Sequence, residues 1–343
     1  MIATTPIIDQ PTLDPNLKIR DIIDTLPKEV FKKNPKKAWF KVFVNVVCVG
    51  LGYWGVAVAP WYLLPLMWIF LGTSLIGLFV LGHDCGHRSF SNRLWVNDLV
   101  GHLLFLPLIY PFHGWRIMHN HHHRHTNNLD KDNTWTPFSP EDYEQLSPLY
   151  RWWYQRMRGK FWWLGSIAHW AVLHFDLRRF KGKQREKVRF SVLLVVFTAA
   201  IGFPWLFLNF GIWGFVKFWL LPWLVYHFWM STFTIVHHTL PTIPFQPKEK
   251  WHGAAAQLCG TVHCKYPWWV EFLCHDINVH IPHHLTTGIP WYNLRLAHKS
   301  LKENWGEYLQ ERKFSWALMV EISENCHLYN SQDNYQSFSS LSR

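Results

Sequence analysis

The chain alternates long apolar runs with polar segments, and two early runs are as long as membrane helices. Residues 42–59 carry no charged side chain, and after Pro60 a second uncharged run covers residues 61–82. A helix that crosses a bilayer needs about 20 predominantly apolar residues. These two runs therefore predict a pair of transmembrane helices joined by a tight turn at Pro60.

A second pair of apolar runs lies in the later half of the chain. Residues 190–216 are uncharged but are interrupted at Asn209–Gly211, and a further apolar run follows. We predict transmembrane helices at about 190–208 and 212–236. Between the two pairs, a shorter apolar stretch at 96–113 is broken by prolines, which predicts an interfacial or re-entrant hairpin.

Positive charge is distributed unevenly around the predicted helices, and this distribution sets their orientation. The turns near Pro60 and Gly211 carry almost no Lys or Arg, whereas the polar segments carry nearly all of them. Basic segments tend to remain in the cytoplasm. The predicted fold is therefore an all-α integral membrane protein, one domain over 1–343. It has four transmembrane helices in two hairpins, with a cytoplasmic helical cap formed by 83–189 and 237–343.

Composition agrees with a membrane location. Charged residues make up 17% of the chain, hydrophobic residues 49%, and Trp alone contributes 23 residues. Soluble domains contain about 25% charged residues, and tryptophan is enriched at membrane interfaces. The basic, tryptophan-containing segment 128–189 predicts helices that lie on the headgroup layer. The net charge of +11 favours contact with anionic lipid or an acidic protein, since no nucleic-acid-binding motif is present.

Histidines concentrate in three clusters, all on the predicted cytoplasmic side. Within each cluster they are three or four residues apart, the spacing at which side chains share one helix face. We therefore expect the imidazoles of each cluster to point to one place. The clusters are His83 and His87; His119, His122 and His123; and His280, His283 and His284.

These eight histidines predict a centre with two metal ions. Neutral imidazole binds iron, zinc, copper or nickel, and a single tetrahedral zinc would need only four ligands. A histidine-rich di-iron centre is the interpretation we favour, because the glutamate set of soluble di-iron bundles is absent. We expect a ninth ligand. His238, at the cytoplasmic end of the last predicted span, is the first candidate, with His275 and His237 as alternatives.

Other polar residues near the clusters receive weaker assignments. His121 and His125 flank the middle cluster but fall off its face, so they are equally suited to positioning the substrate or supporting the ligands. Metal-bound histidines are commonly oriented through the ring nitrogen that faces away from the metal. The residues that could do this here are Asp84, Asp276 and Asn278.

The three clusters resemble the histidine boxes of membrane fatty acyl desaturases. HDCGH at 83–87, HNHHH at 119–123 and HIPHH at 280–284 match the family pattern of HxxxH, HxxHH and HxxHH, with helix pairs between the boxes. The similarity extends from about residue 20 to 330. The stretches GHDCGHRSF, FTIVHHT and HDINVHIPHHL are closest to the cyanobacterial acyl-lipid Δ12 (ω-6) desaturases, with the plant ω-6 enzymes more distant.

The resemblance implies an oxygen-dependent oxidoreductase with two Fe ions. Such an enzyme inserts a cis double bond at Δ12 of oleoyl chains in membrane glycerolipids, giving linoleoyl chains. In the family the eight box histidines bind iron together with one histidine from the last membrane helix, which corresponds here to His238. The resemblance also implies O2 and reduced ferredoxin as reactants, and a multi-pass location in the cyanobacterial inner or thylakoid membrane with the site facing the cytoplasm.

Two alternatives remain open from the sequence. The boxes do not distinguish a Δ12 desaturase from an ω-3 or other-position desaturase, or from an acyl hydroxylase. A non-enzymatic membrane metal carrier or haem anchor is the second alternative. It is disfavoured because a haem anchor would place its histidines inside the spans, and a transporter would carry ionisable residues there. Lys217 is nearly the only such residue.

Overall fold

The computed structural model describes residues 13–332 and 334–340, and these residues are mostly helical. The α-helices of this part of the chain are α1 (Ile19–Ile23), α2 (Pro35–Val58), α3 (Leu64–Gly86), α4 (Leu94–Phe105), α5 (Phe112–His125), α6 (Pro140–Gln145), α7 (Pro148–Arg158), α8 (Gly165–Leu173), α9 (Gly182–Phe215), α10 (Leu221–His238), α11 (Gly253–Leu258), α12 (Trp268–Leu273), α13 (His280–Leu285), α14 (Leu294–Trp305) and α15 (Trp316–Asn325). A π-helical turn, Val216–Leu220, joins α9 to α10.

The prediction of an all-α fold is wrong in one respect, because the described residues also contain four short strands. Strand β1 (Val262–Lys265) pairs in parallel with β2 (Gln310–Lys313). Strand β3 (Leu328–Asn330) pairs with β4 (Asn334–Gln336) in an antiparallel hairpin. These segments are too short to show a repeating pattern in the sequence. Each is a strand because a partner satisfies its backbone hydrogen bonds, a distant segment for β1 and β2 and the other arm of the hairpin for β3 and β4.

Three helical segments are long and apolar enough to cross a membrane. They are Pro35–Val58, Trp61–Gly86 and Gly182–His238. The first begins before the predicted residue 42, because Asn34 caps it by accepting a hydrogen bond from the backbone N–H of Lys37 at 3.2 Å. The second continues past the predicted residue 82 to Gly86.

Helix α3 lies at the centre of the helical bundle. In its most apolar stretch 61% of the residues are buried, against 22% for α2 and 11% for Gly182–His238. The Nδ2 atom of Asn45 on α2 donates to the carbonyl of Ser74 at 3.0 Å, and Trp229 Nε1 on α10 donates to Thr73 Oγ1 at 2.9 Å. Because α2 and α10 both pack on it, α3 fixes the position of the helix ends beside it.

The chain reverses direction at Gly211 inside the segment Gly182–His238. The rings of Phe203 and Trp219 are 4.6 Å apart, and those of Phe207 and Phe215 are 4.7 Å apart. In a continuous helix Phe203 and Trp219 would be separated by about 24 Å. The segment is therefore two antiparallel helices, and the predicted break at Asn209–Gly211 is where they meet.

Helices α4 and α5 are bent sharply against each other. Their axes, with the short 3-10 turn after α4, make an angle of 104° across a break that contains Pro111. Ile109 in this break has a φ of 53°, the left-handed conformation. A helix pair with such a bend is either a broken span or a re-entrant loop. The interfacial or re-entrant hairpin expected for 96–113 stays a prediction.

A second apolar core lies away from the long helices and holds α13 in place. In it α1 packs against α11 and α13, and α14 packs against α13. The buried side chains of this core include Ile22, Leu258, Ile281, Leu285 and Leu301. Full burial of one such side chain stabilises the folded state by about 1.5–3 kcal/mol. The N-terminal arm is therefore part of the structure that positions the last histidine cluster.

The reversal at Gly211 gives a test of the helical hairpin. Gly211 has φ 66° and ψ −172°, a region that only glycine adopts readily. We predict that Gly211→Ala lowers the free energy of unfolding by about 1–3 kcal/mol, measured by denaturation in detergent. Gly202→Ala is the control, because Gly202 is helical and a Cβ there meets no atom within 4 Å. Equal stability of the two variants would contradict the hairpin.

Candidate metal centre

The three histidine clusters and the end of α10 meet at one place. His83 and His87 lie at the last turn of α3, and His238 is the last residue of α10. The middle cluster occupies the last two turns of α5, and the third cluster supplies three of the six residues of α13. Each of the eight box histidines and His238 is buried or half-buried.

The larger group of histidines takes members from all three clusters. One ring nitrogen of each member lies within 4.8 Å of the corresponding nitrogens of the others. The Nε2 atom of His119 is 3.0 Å from that of His83 and 3.1 Å from that of His123. The Nε2 atom of His283 is 3.1 Å from that of His123. The members of this group, called here the first group, are His83, His87, His119, His123 and His283.

A second group lies directly beside the first. His122, His238 and His284 bring one ring nitrogen each within 4.8 Å of one another. The Nε2 atom of His280 lies 3.0 Å from that of His238, so His280 adjoins this group. The rings of His123 and His284 stack at 4.1 Å between the two groups. All nine predicted residues are thus brought together.

The expectation that each cluster points to one place is wrong. His122 and His123 belong to different groups, and so do His283 and His284. Consecutive residues on a helix are about 100° apart around its axis, so adjacent side chains point in different directions. Each of these two clusters therefore supplies both groups.

The chemistry of these residues fits a transition metal. The Nε2 atom of His284 is buried without a hydrogen-bond partner among the described residues, and the groups contain only nitrogen donors. Burial lowers the pKa of His280 to about 3 and lowers the pKa of His283 and His284 well below its usual range. The rings are therefore neutral, the form that binds metal. A cation in each group would satisfy lone pairs that otherwise face one another.

The sequence analysis missed the residues that orient the second group. Asp132 Oδ1 accepts a hydrogen bond from His122 Nδ1 at 2.7 Å, and Gln257 Oε1 lies 2.9 Å from His284 Nδ1. Both contacts leave Nε2 free to face the group. Asp132 lies in the loop after α5 and Gln257 in α11, and no spacing relates either residue to a histidine cluster. Only the folded structure brings them near.

The residues predicted to orient ligands have other partners. The closest contact between Asp84 and His83 is 3.8 Å, beyond hydrogen-bond distance. Asp276 pairs with Arg295 at 2.5 Å, and Asn278 donates to the carbonyl of Cys264 at 2.9 Å.

The other candidate histidines lie outside both groups. The ring of His275 packs 5.5 Å from that of Trp291, and His237 stacks on Phe233 and lies 4.4 Å from His280, measured between ring centroids. His121 contacts the carbonyl of Lys131, and the ring of His125 lies 6.2 Å from that of Trp251. Of the three candidates for the ninth position, His238 is the one that joins a group.

A cavity extends from the two groups into the helical bundle. It has an empty volume of about 960 Å³, including its open mouth. Five histidines from the two groups line one end, and the walls between α3, α5 and α10 are largely apolar. The apolar lining includes Ile76, Phe79, Val80, Trp115, Met118, Met230 and Phe233. This lining suits an apolar chain.

The fold and the site together define a helical protein with membrane-compatible helices and a histidine-rich site beside an apolar cavity. The family model for fatty acid desaturases matches residues 59–316, and this chain belongs to the fatty acid desaturase family.

Relatives similar over nearly the whole chain make the relationship more specific. The sn-1 oleoyl-lipid 12-desaturase of Picosynechococcus sp. is 62% identical over 94% of this chain and 93% of its own length. The enzyme of the same name from Synechocystis sp. is 56% identical over 100% of both chains. The chloroplastic omega-6 fatty acid desaturase of Brassica napus is 50% identical over 96% of this chain and 74% of its own length.

The contact between Asp132 and His122 leads to a testable prediction. Asp132→Asn keeps an oxygen acceptor but removes the charge that fixes the Nδ1–H form of His122. We expect metal affinity and activity to fall by about 10- to 100-fold, measured as metal retained against a chelator and as product formed. Asp130→Asn, in the same loop but facing Lys248, is the control. Unchanged metal retention in Asp132→Asn would contradict an orienting role.

Proposed function

We propose that the protein is a fatty acyl desaturase that introduces a cis double bond at Δ12 of oleoyl chains in membrane glycerolipids. The observation that carries this proposal is the pair of adjacent imidazole groups at the end of an apolar cavity. It is supported by 56–62% identity over nearly the full chain to relatives named sn-1 oleoyl-lipid 12-desaturases. The acyl chain loses two hydrogen atoms, and O2 is reduced to two water molecules with two electrons and two protons.

The two groups are proposed as the ligands of two Fe ions. The first group would hold one iron, and His122, His238, His280 and His284 would hold the other. When bound, an iron pair with O2 supplies the oxidising power that an unactivated methylene requires and that no side chain offers. The residues of the chain position the methylenes at the histidine-lined end of the cavity, exclude water with apolar walls, and keep His122 in one tautomer through Asp132.

The proposed topology places this centre on the cytoplasmic side. Four spans would form two hairpins whose turns carry almost no positive charge. The first hairpin is α2 and α3, and the second is the part of α9 before Gly211 and the helix that runs from Gly211 into α10. Residues 83–189 and 237–343 would form the cytoplasmic cap of a single domain. Reduced ferredoxin is the proposed electron donor, and the cyanobacterial inner or thylakoid membrane is the proposed location. The basic net charge of the chain, +11, suits a small acidic donor.

Expression in a host with oleoyl lipids and ferredoxin tests the reaction. We expect a new acid with double bonds at Δ9 and Δ12, identified by chromatography and by mass spectrometry of derivatives that locate the double bonds. A host carrying the empty vector is the control. A product with an ω-3 double bond alone, or a hydroxy acid alone, would replace the proposal with one of its alternatives.

Substitution of adjacent histidines tests the metal assignment. We expect His122→Ala to abolish activity, by more than about 100-fold, and to lower the iron content from two ions per chain while leaving membrane insertion unchanged. His121→Ala should retain both iron and activity, because His121 lies outside both groups and contacts the carbonyl of Lys131 and the ring of His125 instead. Iron analysis of the purified proteins is the measurement. One zinc ion per active chain, without iron, would overturn the di-iron assignment.

A further inference from the structure

The cavity is chemically different at its two ends. One end is lined by the imidazoles of the metal groups, and the walls beyond them are largely apolar. Further along, the lining becomes polar again, and this part is called here the polar end. Its residues are Ser166, His169, His174 and Ser231. An acyl chain alone gives no reason for polar groups at this place.

Most of the polar groups at the polar end have hydrogen-bond partners within the protein. Ser231 Oγ donates to the carbonyl of Trp163 at 2.9 Å, and Ser166 Oγ bonds to His227, also at 2.9 Å. The Nε2 atom of His169 contacts the carbonyl of Asn133 at 3.1 Å. These hydrogen bonds tie α8 to α10 and to the loop after α5. They explain why these groups are present without any ligand.

His174 is the exception at the polar end. The residue is 1% exposed, and neither ring nitrogen has a hydrogen bond that meets the usual distance and angle limits within the described residues. The backbone of Trp170 makes only a weaker polar contact with the ring. Burial lowers the pKa of His174 well below its usual range, so the ring is neutral and carries one N–H donor. A buried donor without an acceptor destabilises a protein. Its retention at a cavity wall points to an acceptor supplied by a ligand.

The polar end lies one to two helical turns or more from the metal groups. Ser231 precedes His238 by seven residues on α10, a rise of about 10 Å. On α5, a Cβ at Gly114 would lie 2.7 Å from the carbonyl oxygen of His174. Gly114 precedes His119 and His122 by rises of about 8 and 12 Å. The two ends of the cavity are therefore separated by a distance on the order of 10 Å.

The surroundings of His174 suit the boundary between lipid chains and headgroups. His174 follows the last residue of α8, and an exposed basic stretch with Arg178 and Arg179 comes next. That stretch leads directly into α9, which begins at Gly182 and is compatible with a membrane span. The ester groups of a glycerolipid lie in this boundary region, outside the hydrocarbon core.

We propose that His174 donates a hydrogen bond to the ester carbonyl of the substrate acyl chain, and that this contact sets the distance from the ester to the metal centre. The inference rests on the function proposed above. The ester is the only polar group attached to an oleoyl chain. With C–C bonds of about 1.5 Å, the chain from the ester carbon to C12 spans about 14 Å when extended and less with its cis bend. This length is comparable with the separation of the two ends.

An ester-to-ether comparison tests the contact. The probes are two glycerolipids in vesicles with the full-length protein and reduced ferredoxin, one with an oleoyl ester and one with an oleyl ether that lacks only the carbonyl. We expect the wild-type protein to convert the ester about 10-fold better, the equivalent of one hydrogen bond. In His174→Phe the ester-to-ether ratio should fall to about 1, and His174→Gln, which restores a donor, should recover part of it.

A stability measurement and a matched variant separate this role from a structural one. His174→Phe removes an unpaired buried N–H, so its thermal stability should equal or exceed that of the wild-type protein. Tyr226→Phe is the control, because its hydroxyl is also buried without a partner and does not line the cavity; its ester-to-ether ratio should be that of the wild-type protein. An unchanged ratio in His174→Phe would overturn the contact while leaving desaturation intact. A wild-type protein that desaturates neither lipid would instead overturn the proposed function.

Discussion

The structure depends on holding nine imidazoles together away from water. Their Nε2 atoms approach one another to 3.0–3.3 Å, a separation that is unfavourable when lone pairs face each other without a cation. No single helix can supply all nine residues, because each helix contributes at most three of them. Four helix segments must therefore end at one place, and the packing around α3 makes them do so. Metal binding at this site and the stability of the fold are consequently coupled, because the free energy of binding also stabilises the folded chain.

Two separate apolar cores position these segments, and each core holds different ones. The long helices set α3, α5 and α10, through contacts such as the hydrogen bond from Trp229 to Thr73. The second core, in which α1 packs on α13, sets the third cluster from the opposite side. Helix α13 has only six residues and would not be stable alone in water. Its direction, and with it the placement of His283 and His284 in different groups, is imposed by its neighbours.

The sequence predicted the parts of this structure that repeat or run long. Uncharged runs located the membrane-compatible helices, the Asn209–Gly211 interruption located a reversal, and histidine spacing identified eight of the nine clustered residues. The ninth, His238, followed from its position at a helix end. Single contacts between distant segments were not predictable. Strands β1 and β2 depend on each other across a long stretch of chain. Asp132, in the loop after α5, and Gln257, in the short helix α11, approach their histidines from segments that carry no periodic signal.

Histidine spacing did not predict how the members of one cluster are divided between the two groups. Spacing of three and four residues identifies a common face, but a face on an α-helix is more than 100° wide, and one metal ion occupies only part of it. Two neighbouring groups of ligands can therefore share one face, with His122 in one group and His123 in the other. A cluster with adjacent histidines is suited to two neighbouring sites, whereas His83 and His87, with no adjacent histidine, contribute to one. The doubled histidines of the second and third clusters are thus the sequence feature that accompanies two adjacent histidine groups.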